Sequence, residues 1–153
     1  MKSLGHDTID GRGGHDIVRY LGANYGVVVN LAAGSASGFF AGDLGVDTLI
    51  SIEGVIGSTC EDLLLGGEAD ETFQGYKGND TIDGGGGIDR IDFTFSTAAV
   101  TVDLTAGTAS DGFDGTDLLH NIERARGSLF DDLIVGNAAA NFALPRGTYV
   151  ISI

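Results

Sequence analysis

Apolar residues return every nine positions across residues 57–92, at Leu64, Phe73, Ile82 and Ile91. Cut at that interval, the stretch reads GSTCEDLLL, GGEADETFQ, GYKGNDTID, GGGGIDRID. Glycine opens each nine (Gly57, Gly66, Gly75, Gly84), an acid holds place six (Asp62, Glu71, Asp80, Asp89), and the apolar residue holds place eight. Places seven to nine predict a three-residue strand whose alternation turns place eight inward and its neighbours outward. The outward places Thr72, Gln74, Thr81, Asp83, Arg90 and Asp92 are polar as that requires, while Leu63 and Leu65 depart from it. Places one to six predict a turn, where glycine serves positive φ and close approach of backbone to backbone or to an ion. Glycine interrupts almost every window of nine, so no long helix is expected.

Five further nines flank this block. Residues 2–10 and 11–19 carry Asp7 and Asp16 at place six, with Ile9 and Val18 at place eight. Residues 42–50, 112–120 and 127–135 carry Asp47, Asp117 and Asp132, with Leu49, Leu119 and Ile134. Between them the period lapses. Residues 26–31 predict a strand with Val27, Val29 and Leu31 on one face, followed by a small-residue turn over 32–37 and a local insertion at 38–41. Residues 100–104 predict the matching strand later in the chain. Six-residue spacers at 51–56 and 121–126 hold Glu53 and Glu123 at equivalent positions; a turn-stabilising hydrogen bond is the favoured role for both. Residues 136–144 are degenerate, with Asn141 and Ala143 in the two marker places, and residues 145–153 are a C-terminal cap or tail.

The larger pattern is a tandem duplication. Residues 5–37 align on 78–110 with 16 of 33 identical, and 42–71 on 112–141 with 12 of 30 identical. We expect one solenoid domain over 1–144, with copies over about 5–71 and 78–141, each turn packing on its neighbours. The central block is the seam of the two copies. Only there do four nines stack without interruption, so only there is a complete site expected on both edges.

Composition narrows the function. With 26 glycines and one proline in 153 residues, the chain is neither collagen-like nor a Pro-rich linker. A net charge of −14, with only eight Lys and Arg, makes nucleic acid a poor partner and disfavours an anionic membrane surface. That charge opposes the compact state, and a divalent cation would relieve it. The place-six acids supply hard charged oxygens and the carbonyls of turn glycines such as Gly75, Gly78, Gly84 and Gly87 supply neutral ones, a donor set suited to Ca²⁺. Cys60 is alone, so it forms no internal disulfide, and a small buried apolar residue is the expected role. No cleavable signal peptide and no membrane-length apolar run is visible. His6 and His15 read as exposed variable residues rather than zinc ligands. Metalloprotease, G-x-S-x-G, P-loop and EF-hand patterns are missing, so no enzyme is expected.

The nonapeptide G-G-x-G-x-D-x-U-x that these nines approximate resembles the RTX, or haemolysin-type, calcium-binding repeat family. The resemblance implies an all-β fold, a right-handed parallel β-roll or β-helix solenoid with degenerate turns, in which two nines complete one turn. It implies ions shared between nines two apart on one edge, hence Asp62 with Asp80 and Glu71 with Asp89. Glu71 stands where the family has Asp, and Ser58 and Tyr76 stand where it has a second glycine. Asp7, Asp16, Asp47, Asp117 and Asp132 are expected to be incomplete ligands. The resemblance further implies a structural module of a secreted bacterial protein that folds or rigidifies on binding Ca²⁺, exported by type I secretion. Two other readings stay open: an adhesive solenoid that binds a glycan or protein partner, and a non-catalytic fragment of a polysaccharide lyase or epimerase.

Overall fold

The computed structural model describes residues 5–39 and 45–138, with the backbone alone of 149–151. The start of the nine at 42, most of the degenerate nine and most of the tail lie outside the described residues. The elements in chain order are β1 (Thr8–Asp10), β2 (Ile17–Arg19), β3 (Val27–Asn30), β4 (Ser35–Gly38), β5 (Val46–Ile50), β6 (Gly54–Ile56), β7 (Leu63–Leu65) and β8 (Thr72–Gln74). They continue with β9 (Thr81–Asp83), β10 (Arg90–Asp92), β11 (Thr101–Asp103), β12 (Thr108–Ser110), β13 (Thr116–His120), β14 (Arg124–Arg126), β15 (Leu133–Val135) and β16 (Tyr149–Ile151). All are strands, and most are three residues long because a nine leaves only places seven to nine outside its turn. The described residues contain no helix, and so none long and apolar enough to cross a membrane.

Successive nines alternate between two sheets. Strand β7 pairs in parallel with β9, Leu64 beside Ile82, and β8 with β10, Phe73 beside Ile91. Each pairing advances by two nines. Leu64, Phe73, Ile82 and Ile91 are fully buried in one core fed by both sheets. Each contributes about 1.5–3 kcal/mol by leaving water. Sheet B, in the order β14-β10-β8-β6-β2, is parallel throughout.

Sheet A is mixed: its nines pair in parallel as a parallel roll requires, and two excursions between them run antiparallel. Its eleven strands run β1-β5-β4-β3-β7-β9-β13-β12-β11-β15-β16, with antiparallel meanders at β3-β4-β5 and β11-β12-β13. The residues expected to form a small-residue turn split in two. The turn itself is 31–34, and Ser35–Gly38 is strand β4. Asn30 Oδ1 caps that turn by accepting the Ala33 N–H at 2.8 Å, and Gly34 closes it at φ 61°. Asp103 and Gly107 repeat the device, with Asp103 Oδ1 accepting from Thr105 and Ala106. Ala36 and Ala109 are the buried residues of the two middle strands.

Each meander leaves the stack and returns to it. Strand β5 lands in parallel beside β1, while β3 lies beside β7. Strands β13 and β11 do the same against β9 and β15. The interruptions in the nine-residue pattern therefore widen sheet A without breaking the register of the turns on either side. Strand β16, in the tail, extends sheet A in parallel beside β15.

Candidate metal centre

Glycine shapes the turns that present the acids. Gly14, Gly78 and Gly87 hold place four with φ of 124°, 127° and 112°. A Cβ on Gly78 would lie 2.7 Å from the Cys60 carbonyl oxygen one turn away, so two backbones meet there. Place one is tight for a different reason. A Cβ on Gly57 would fall on both Asp62 Oδ2 and the Gly75 carbonyl, and one on Gly66 would fall on the Gly84 carbonyl and approach Glu71 Oε2. At Gly84 it would meet Asp89 Oδ2 and the Asn121 carbonyl. Each acid thus folds back on the opening glycine of its own nine, and a carbonyl oxygen of the adjacent turn enters the same space.

The acids form ladders along both edges. On the edge leading into sheet A, the Asp62 N–H donates to Asp80 Oδ1 at 2.8 Å, and the Asp80 N–H donates to Asp117 Oδ1 at 3.1 Å. Val27 donates to Asp62 Oδ1, Val100 to Asp132 Oδ1, and Asp7 to Asp47 Oδ1. On the edge leading into sheet B, the Glu71 N–H donates to Asp89 Oδ1 at 2.8 Å, the Asp89 N–H to Glu123 Oε2 at 2.9 Å, and the Asp16 N–H to Glu53 Oε2 at 3.0 Å. One carboxylate oxygen in each case is committed to the backbone of the neighbouring turn.

Seven acids along these edges keep one oxygen uncommitted. Asp16 Oδ2, Glu71 Oε2, Asp80 Oδ2, Asp89 Oδ2, Asp111 Oδ2, Asp117 Oδ2 and Asp132 Oδ2 are buried without a hydrogen-bond partner. A charged oxygen in that position costs several kcal/mol unless something neutralises it. The acidities register the stress. Burial, then the charges of Asp117 and Asp62, pushes Asp80 up to about 8. Burial likewise raises Asp117 to about 7, with Asp111 and Asp62 adding to it, and Asp89 to about 7 against the hydrogen bond from the Glu71 N–H. Burial also raises Glu71. Asp62 reaches only about 6, because burial is opposed by hydrogen bonds from Val27 and Ser58. Ser58 supplies both its N–H, at 2.6 Å to Oδ2, and its hydroxyl, at 2.8 Å to Oδ1.

The flanking acids do not sit as the interrupted pattern suggests. Asp117, 37 residues beyond Asp80, stacks directly on it because the β11-β12-β13 meander carries the chain out and back. Asp16 meets Glu53, and Asp7 meets Asp47, by the same geometry in the first meander. Asp7 is exposed, Asp16 and Asp47 are half-buried, and Asp132 is buried. Glu53 and Glu123 make the turn hydrogen bond expected of them. They also occupy the rung of a place-six acid, each directly before a strand of sheet B.

Asp111 was not legible as a site residue. It precedes its nine, in the one place where the two copies differ in length. Its Oδ1 accepts the N–H groups of Phe113 and Gly115, and its Oδ2 lies with the Gly78 carbonyl where a Cβ on Gly115 would fall. Cys60 also differs from expectation. It is half-buried, with Sγ 3.7 Å from the Asn24 carbonyl oxygen. His6 and His15 are exposed.

Among the described residues no group of three or more His, Cys, Asp or Glu side chains is arranged to hold a metal ion. Pairs of carboxylates with carbonyl oxygens are what the turns offer. Such a donor set is all oxygen and suits a hard cation such as Ca²⁺ rather than zinc. The orphaned buried oxygens and the glycine-lined spaces beside them fit such an ion.

Stacked turns of two nines, edged by half-satisfied carboxylates, define a cation-binding β-repeat protein. The profile of the RTX calcium-binding nonapeptide repeat matches four copies, over residues 3–24 and 61–93, and those segments are similar to that family. The match spans over a third of the chain and includes Asp62, Glu71, Asp80 and Asp89. No curated protein matches the chain.

Proposed function

We propose that the chain is a calcium-dependent structural module, a single β-solenoid over residues 1–144 built by duplication and wound as a right-handed roll. The observation that carries this is the set of seven buried carboxylate oxygens without partners, aligned along the turn edges. Bound calcium supplies the positive charge that lets stacked carboxylates stay ionised. Asp80, Asp117 and Asp132 on one edge, and Glu71, Asp89 and Asp16 on the other, hold ionised oxygens toward it. Gly75 and Gly84 contribute carbonyls beside Asp62 and Glu71, and Gly78 contributes one beside Asp111. Gly87, whose φ of 112° shapes the equivalent turn, belongs to the same set.

Asp80 with Asp117 ranks above Asp62 with Asp80, because Ser58 already satisfies Asp62. Asp7 and Asp47, the least buried pair, form the weakest site. The module performs no catalysis. It belongs to a secreted bacterial protein, and type I export would carry it from a low-calcium cytosol, where self-repulsion keeps it loose, to an exterior where it sets. Metal binding and folding are then one equilibrium. The test is far-UV circular dichroism in excess chelator and in millimolar Ca²⁺. Identical spectra would refute the coupling.

A further inference from the structure

The basic residues of this acidic chain are not scattered. Of its eight Lys and Arg, four (Arg19, Arg90, Arg124 and Arg126) stand at outward positions of sheet B. The outward positions of sheet A, over twice as many strands, carry none and include Asp10, Asp83 and Asp103. The register of β10 and β14 sets Arg90 beside Arg124 and Asp92 beside Arg126. Like charges in adjacent positions oppose the pairing of two strands, so the fold carries an unfavourable contact here.

Beside it is an open groove of about 330 Å³ on the outer face, lined in part by Thr72, Gln74, Arg90, Asp92, Phe95 and Arg126. The charges in the groove are unequally matched. Asp92 is fully engaged: Oδ1 accepts from Thr94, and Oδ2 lies 3.5 Å from Arg126 Nη1. Among the described residues no carboxylate forms an ion pair with Arg90, and its Nε is buried without a hydrogen-bond partner. Phe95, 49% exposed, offers an apolar ring at the rim, and Thr72 and Gln74 add a hydroxyl and an amide.

We propose that the outer face of sheet B binds a carboxylate-bearing oligosaccharide, seated in this groove with its carboxylate on Arg90. A planar guanidinium matches a carboxylate in a way an ammonium does not, and every basic residue of this face is arginine. An aromatic ring beside hydroxyl and amide groups suits a sugar, which presents both a C–H face and hydroxyls. A nucleic acid is disfavoured, since it needs many phosphate contacts from a chain of net charge −14. The site lies on a sheet face and not on the turn edges, so it requires a folded roll but no residue assigned to calcium.

The experiment is calorimetric titration of the full chain in millimolar Ca²⁺. The probes are a glucuronate–N-acetylglucosamine octasaccharide, a neutral N-acetylglucosamine oligomer of similar length, and a poly-glutamate peptide. The acidic sugar is expected to bind, Arg90→Gln to weaken it at least tenfold, and Lys77→Gln, over the Phe113 ring and off this face, to leave it unchanged. Calcium affinity and melting temperature, taken on the same variants, report the roll separately. Loss of sugar binding with both preserved supports the site, whereas a parallel fall in calcium affinity means that Arg90 acts on the fold and overturns it. Equal binding of poly-glutamate, or no binding of the acidic sugar by a chain that does bind calcium, also overturns the proposal.

Discussion

Replacing Asp80 by Asn should change stability in opposite directions with and without calcium. The substitution keeps an oxygen to accept the Asp62 N–H, now 2.8 Å from Oδ1, and removes the charge from the buried Oδ2. In chelator at pH 8 the native roll holds a carboxyl whose pKa is about 8 in place of 3.8. At ~1.36 kcal/mol per unit, that difference of roughly four units opposes folding by about 5 kcal/mol. The amide relieves this but leaves N–H groups unpaired in the same space, at about 1–3 kcal/mol. The balance favours the variant by ~2 kcal/mol or more, roughly thirtyfold in its ratio of folded to unfolded chain. In millimolar Ca²⁺ the sign reverses, because the variant has lost an ionised donor and with it some of the stabilisation that binding confers. Urea titrations followed by circular dichroism, in chelator and in calcium, measure both arms. A variant weaker than the parent chain by the same margin in both buffers would refute the argument that Asp80 is held under charge stress awaiting a cation.

Three further outcomes follow from the same geometry. Because the folded-state pKa values of Asp62, Asp80, Asp89 and Asp117 are raised to about 6, 8, 7 and 7, the metal-free roll retains protons that the unfolded chain releases. Its stability should therefore fall as pH rises from about 4 to 8, and melting in chelator that improves across that window would contradict it. Ile82→Ala, in a fully buried column of sheet A, should destabilise the calcium-loaded roll by about 2–5 kcal/mol, while Leu118→Ala on the outward face of β13 changes it by roughly 0.5 kcal/mol or less; urea midpoints compare the two. Gly87→Ala places a Cβ against the Ala69 carbonyl at a φ of 112°. It should lower the melting temperature by the equivalent of about 1–3 kcal/mol, and an unchanged temperature would mean that the turn relaxes freely.

The period of nine was enough to place each strand of the central block, its inward residue and its acid. Those are local matters. A three-residue strand between glycine turns leaves one side chain pointing inward, and the acid stands just before it. The same logic reached the flanking nines, since Asp7, Asp16, Asp47, Asp117 and Asp132 were all identified from their own segments. Which acid faces which is not a local matter. Asp80 and Asp117 are 37 residues apart, and the intervening meander gives no signal of where it returns the chain. The pattern therefore read as interrupted where the ladder is continuous. Asp111 escaped notice because it lies outside any nine, where the two copies differ in length. The sequence puts Asp62 with Asp80 first among the pairs, and the proposed ranking departs from it for a related reason. Ser58 occupies a place where the repeat has glycine, and only its contacts with Asp62 showed that this carboxylate is already satisfied. The sequence by itself determined the repeat, the core positions and the chemistry of the edges, because each depends on residues within one nine. The tertiary structure decided the mixed sheet, the pairing of acids across the meanders and the gathering of arginines on sheet B, because each depends on which turns come to lie side by side.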